Sequence, residues 1–176
     1  MPRRSPPAIR HEPGGRVSRV ASPAVTPEEF FRKLSGWARG TMIESHGTRF
    51  VSVGPRRAVA ELDFKPMLTQ LTGRFHAGAI IALADETATC AAMWQTNPSG
   101  ELRPELFPLT LQLSVNLIRN TTRGTLTAEA KIVHRGRTTL VVEVEIFDDP
   151  RRLIAKLAAT QHAPAAPPAQ ARSREE

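Results

Sequence analysis

Residues 77–94 read AGAIIALADETATCAAMW, a run that is small and apolar on nearly every side, holds no proline and is too long for one strand. Such a run predicts a helix surrounded by protein on most of its faces. Asp85 and Glu86 interrupt it. An ionised carboxylate inside an apolar helix is costly unless it is paired, hydrogen-bonded or open to a cleft, so Asp85 needs a reason to be there. One reason is chemical: burial raises a carboxylate's pKa toward the range useful for a base or nucleophile near neutral pH. The other is structural, a cap on a backbone group or an arginine partner across an interface. Spacing alone leaves the two level.

Upstream of this helix, Thr26-Pro27-Glu28-Glu29 writes a helix start: the Thr hydroxyl caps, Pro27 suits the first turn and Glu29 completes a capping box. That short helix is expected to end near Gly40. Strands are expected over about 42–53 and 57–64, with Gly54-Pro55 turning between them. Downstream, Leu109, Leu111, Leu113, Val115 and Leu117 alternate with Thr110, Gln112, Ser114 and Asn116, the mark of a strand with one face on a core. Leu126, Ala128, Ala130 and Ile132 repeat the pattern, as do Val142, Val144 and Ile146, and a last strand is expected over about 152–161. Turns at Thr122-Arg123-Gly124, Arg135-Gly136 and Asp148-Asp149-Pro150 predict an antiparallel meander of these four strands. The whole is an α+β architecture, an antiparallel sheet of about six strands wrapped around a long central helix, with a short N-terminal helix. That is the hotdog fold.

The chain of 176 residues has material for one domain. Residues 1–25 and 163–176 are rich in Pro, Arg and Ala without a periodic apolar face, so both are expected to be disordered tails around a domain at 26–162. Of the formal charge of +7, residues 1–25 carry +4, from five arginines against Glu12. What is left is mildly basic and lacks the aromatic platform that nucleic-acid binding uses, so no nucleic-acid partner is expected. A modest positive excess suits a phosphate-bearing substrate. A single cysteine, Cys90, excludes an intramolecular disulfide, and no spacing suggests a metal site. With no apolar stretch long enough to span a bilayer and no secretory pattern, a cytoplasmic protein without a membrane role is expected.

The run Thr72-Gly73-Arg74-Phe75-His76-Ala77-Gly78-Ala79-Ile80-Ile81-Ala82-Leu83-Ala84-Asp85 resembles the signature of PaaI-type acyl-CoA thioesterases of the hotdog superfamily. There a His-Gly-Gly turn opens the central helix and Leu-Ala-Asp closes the motif. The likeness extends over about 60–161 and implies hydrolysis of acyl-CoA to free acid and CoA without metal or organic cofactor. It also implies roles. Asp85 matches the catalytic carboxylate, as general base or nucleophile, and the Ala77 N–H matches the group that polarises the thioester carbonyl. Such an amide lies at the helix's positive end, suited to a developing oxyanion. His76 and Gly78 shape the turn on the substrate side. Gln70 stands where relatives have an Asn that donates to the carbonyl, and Ala77 replaces the first glycine, adding a methyl where the thioester approaches. Thr110 matches a hydroxyl that orients water, although its phase sets it opposite the leucine face. Arg119, Arg135 and Arg137, at strand ends, are candidates for the phosphates of coenzyme A; solvated turn arginines are the structural alternative.

Ala77 and Asp85 are eight residues apart, so their backbones stand roughly 12 Å apart along one helix and cannot grip one carbonyl. Catalysis therefore predicts a composite site between two antiparallel helices across a two-fold dimer, with a dimer of dimers as the larger assembly. Edge-to-edge joining of two sheets would also cover an exposed strand edge. Two other readings stand beside this one: a hotdog dehydratase or hydratase, and a non-catalytic acyl-CoA-binding module.

Overall fold

The computed structural model describes residues 25–164 apart from Pro98. Nearly all of both expected tails lies outside the described residues. At the margins, Val25 packs against the core, and Ala163 is buried with its N–H donated to the Thr138 carbonyl at 2.9 Å.

Helix α1 (Pro27–Trp37) starts where the sequence places it: the Thr26 hydroxyl accepts the Glu29 N–H at 3.2 Å, and Phe30 and Leu34 turn into the core. The first expected strand is shorter than 42–53. Met42–His46 forms a short helix, α2, and the strand β1 begins only at Arg49 (Arg49–Gly54). Local capping overrides the strand-like run here. The Glu44 carboxylate accepts the Gly40 N–H at 2.6 Å, and Gly47 ends the helix at φ 86°, a left-handed conformation suited to glycine.

Strand β2 (Arg57–Asp63) precedes α3 (Ala77–Thr96), and β3 (Leu109–Leu117), β4 (Thr125–Arg135), β5 (Thr139–Phe147) and β6 (Leu153–His162) follow it. All six strands form one antiparallel sheet in the order β1-β2-β4-β5-β6-β3, with α3 packed across it. The α+β hotdog architecture expected from the sequence is the one observed. Alanines along α3 let the helix lie close to the sheet, where Ile80, Leu83 and Ala88 meet Leu126, Val142, Val144 and Ile146 in one core.

The four-strand meander needs correction. Only β4, β5 and β6 follow it, because β3 pairs with β6 at the far end of the order. The link between β3 and β4 is no hairpin: Asn120 Nδ2 donates to the Phe75 carbonyl at 2.9 Å, and the Phe75 N–H to Thr121 O at 3.3 Å. These bonds tie the link to the turn before α3, so it crosses the end of the helix. The leucine face of β3 also departs from the alternation. Leu113 and Val115 pack on the core, but Leu109, Leu111 and Leu117 are 58%, 63% and 47% exposed. The register with β6 shifts between Thr110 and Gln112, leaving Leu111 as an extra, bulged residue on an edge strand.

Candidate active site

The bulge decides what faces Asp85. In a regular strand Leu111 would stand opposite Gln161; with the extra residue, Thr110 takes that place and turns toward the helix. Its hydroxyl donates to Asp85 Oδ1 at 2.7 Å. Asp85 Oδ2 has no protein donor among the described residues, and Asp85 is half-buried, on the wall of a cavity of about 450 Å³. Leu34, Trp37, Phe50, Met93 and Phe107 make much of the rest of that wall. A carboxylate pinned by one oxygen and open by the other can accept a proton from a water or attack an electrophile.

Four side chains that sequence reasoning did not single out, Gln161, Thr89, His46 and Thr48, complete the surroundings. Gln161, fully buried on β6, donates through Nε2 to Thr89 Oγ1 at 2.9 Å and Thr110 Oγ1 at 3.3 Å. On the other side of the cavity Glu86 accepts from the Thr48 hydroxyl and lies 3.4 Å from the Nδ1 of buried His46. His46 and Thr48 belong to the segment expected to be strand, so nothing in the sequence pointed them at α3. Cys90 also borders the cavity but is no nucleophile: burial pushes its thiol well up from the ordinary range.

At the start of α3, His76 is the N-cap residue, and its Nδ1 accepts the Gly78 N–H at 2.9 Å. A Cβ at position 78 would lie 3.0 Å from that nitrogen, so a larger residue would press on the His76 ring. The Gly78 amide is thus already spent on the cap. The Ala77 N–H, as the first of the helix, has no intrahelical acceptor.

Residues 72–155 match the family model described as the thioesterase superfamily. A provisionally named esterase of Deinococcus radiodurans is 30% identical over 132 residues, covering 73% of this chain and 79% of that protein. The chain belongs to the thioesterase superfamily. The 1,4-dihydroxy-2-naphthoyl-CoA hydrolase of Listeria monocytogenes is 28% identical over 111 residues, covering 63% of this chain and 85% of that one. Among solved structures, the PaaI protein of Escherichia coli superposes with a TM-score of 0.66 over 78% of this chain and 94% of its own, at 19% identity, a likeness of fold.

In this thioesterase the other expected residues stand apart from Asp85. Gln70 is engaged in its own turn, with Nε2 donating to Thr72 Oγ1 and Oε1 accepting the Thr72 N–H at 2.8 Å. Arg119 donates to the Leu153 carbonyl at 3.2 Å and Arg135 to Gln95 Oε1 at 2.7 Å, while Arg137 is exposed. The chain therefore brings together Asp85, Thr110, Thr89 and Gln161, and holds His76, Ala77 and Gly78 toward the N-terminal end of the same helix. Among the described residues no helix is long and apolar enough to cross a membrane.

Proposed function

We propose that the chain hydrolyses acyl-CoA thioesters with Asp85 as general base or nucleophile, in a composite site shared by two subunits of a two-fold dimer. The observation that carries this reading is the carboxylate itself: Thr110 holds Oδ1 at 2.7 Å, and Oδ2 has no protein donor among the described residues.

In the base form, Asp85 accepts a proton from water as the water oxygen bonds to the thioester carbon. The carbonyl oxygen becomes an oxyanion against the N–H of the partner subunit's Ala77. Collapse breaks the C–S bond, and the CoA sulfur leaves with the proton, giving acid and thiol. In the nucleophile form, Asp85 forms a mixed anhydride and expels the thiolate, and water then cleaves the anhydride. Either form needs the second subunit, since Ala77 and Asp85 of one helix stand roughly 12 Å apart. Contacts of Arg119, Arg135 and Arg137 with the CoA phosphates belong to the same proposal; their joint replacement by alanine is expected to raise KM several-fold and leave kcat unchanged.

The test is release of free thiol from a panel of aliphatic and aromatic acyl-CoAs. Wild type is expected to turn over at least one of them, and Asp85→Asn to do so about a thousandfold more slowly. Turnover retained in Asp85→Asn at the wild-type rate would remove this mechanism.

A further inference from the structure

Gln161 is 0% exposed and only half satisfied: both hydrogen bonds come from Nε2, and Oε1 is buried with no partner among the described residues. A side chain kept for packing alone would be apolar at this volume, because a buried acceptor without a donor disfavours folding. Its value must lie in what Nε2 does.

We propose that Gln161 is a positioning residue for hydrolysis, which commits the single hydroxyl proton of Thr110 to Asp85 by occupying the acceptor side of that hydroxyl. The inference rests on the reading of Asp85 as the catalytic carboxylate. A threonine hydroxyl has one hydrogen and accepts through its lone pairs, and its rotor turns to suit its surroundings. With an amide N–H directed at Oγ1 from Gln161, that hydrogen is turned away from β6 and onto Asp85 Oδ1, 2.7 Å away. The reverse amide orientation would set its oxygen against Thr110 Oγ1 and draw the hydroxyl hydrogen to itself. Thr110 Oγ1 and an ionised Asp85 Oδ1 would then face each other with no hydrogen between them. The same Nε2 also donates to Thr89 Oγ1, so one amide orders both hydroxyls beside the carboxylate. The β3 bulge belongs to this device, because it sets Thr110 opposite Gln161 in the register.

A hydrogen bond donated to a carboxylate favours its ionised form. Loss of Gln161 is therefore read in the titration of Asp85. The other acidic group lining this cavity is Glu86, on the next position of α3, and His46 of α2 lies against Glu86; neither hydrogen-bonds to Gln161 or Thr110.

The experiment compares wild type, Gln161→Met, Thr110→Val and the double variant by thermal melting, by kcat against pH, and by carbon-13 NMR titration of the Asp85 carboxyl. Gln161→Met is expected to melt no lower than wild type, to lose about tenfold in kcat at unchanged KM, and to move both the acid limb and the NMR titration to higher pH. In the Thr110→Val background, Gln161→Met is expected to do nothing more. Additive effects in the double variant, or a lowered melting temperature with the Asp85 titration unmoved, would overturn the proposal. The titration needs no turnover. A shifted titration in a protein that hydrolyses no acyl-CoA would reject the function proposed for Asp85 while upholding the action of Gln161 on it. Should Gln161→Met not fold, Gln161→Leu, which likewise lacks a donor and adds no charge beside Asp85, takes its place with the same expected shift.

Discussion

Asp85 lies among residues that would otherwise make α3 an ordinary core helix, and its surroundings give it one anchored and one open oxygen. Asn in its place keeps the shape and removes the basicity, so Asp85→Asn is expected to lower turnover by about a thousandfold in a free-thiol assay, with the melting temperature unchanged or raised. Cys90 offers a contrast. It borders the same cavity, but burial keeps it protonated, so a thiol reagent is expected to leave it unmodified in the native protein and to label it on unfolding. Asp85 was legible in the sequence because a charge in an apolar run is conspicuous. Gln161 was not, since one polar residue in the last strand looks the same whether it faces solvent or core. Glu86 was visible as a charge, but its partners His46 and Thr48 come from 40 and 38 positions away, beyond the reach of any local pattern.

At the scale of the element, the long helix was readable because it is apolar on nearly every side over a length no single strand reaches, and the strands β4 to β6 because each buries alternate residues. Two elements were not. The stretch 42–48 has strand-like residues but is closed into α2 by Glu44 and Gly47, and Met42 and Ile43 of this helix line the cavity. Gly47→Ala is expected to destabilise the protein by about 1 kcal/mol in chemical denaturation, because alanine is strained at a φ of 86°. A raised KM is expected with it. Strand β3 carries an unbroken alternation in sequence, and its bulge is fixed instead by pairing with β6, a partner more than forty residues on. The turn between β5 and β6 gives a test by pH. Hydrogen bonds from Arg152 to the Asp148 carboxylate, at 2.6 and 2.8 Å, hold it below the usual aspartate range. A carboxyl with a depressed folded pKa stabilises the protein above the ordinary value of about 3.9, and that contribution disappears as pH falls through the folded pKa. Asp148→Asn is therefore expected to melt below wild type at pH 7, with the gap closing as the pH is taken below about 3.9.

At the scale of the whole molecule, the proposed mechanism makes a single chain half an active site. Its sheet ends at β3, an edge that exposes Leu109 and Leu111 and is the kind of strand that pairs with another copy. The composite site can be tested by removing each half separately. Ala77→Pro deletes the amide at the first position of the helix, where proline is tolerated, and the extended His76 before it (φ −66°, ψ 139°) suits a following proline. Ala77→Pro and Asp85→Asn are each expected to fold and to be inactive. When the two are mixed by co-expression, half of the dimers are mixed, and each mixed dimer has one site with an intact Asp85 from one subunit and an intact Ala77 amide from the other. The measurement is acyl-CoA hydrolysis by that mixture: recovery to about a quarter of wild-type activity is expected, and a mixture as inactive as its parents, with mixed dimers present, would contradict a site built from two subunits.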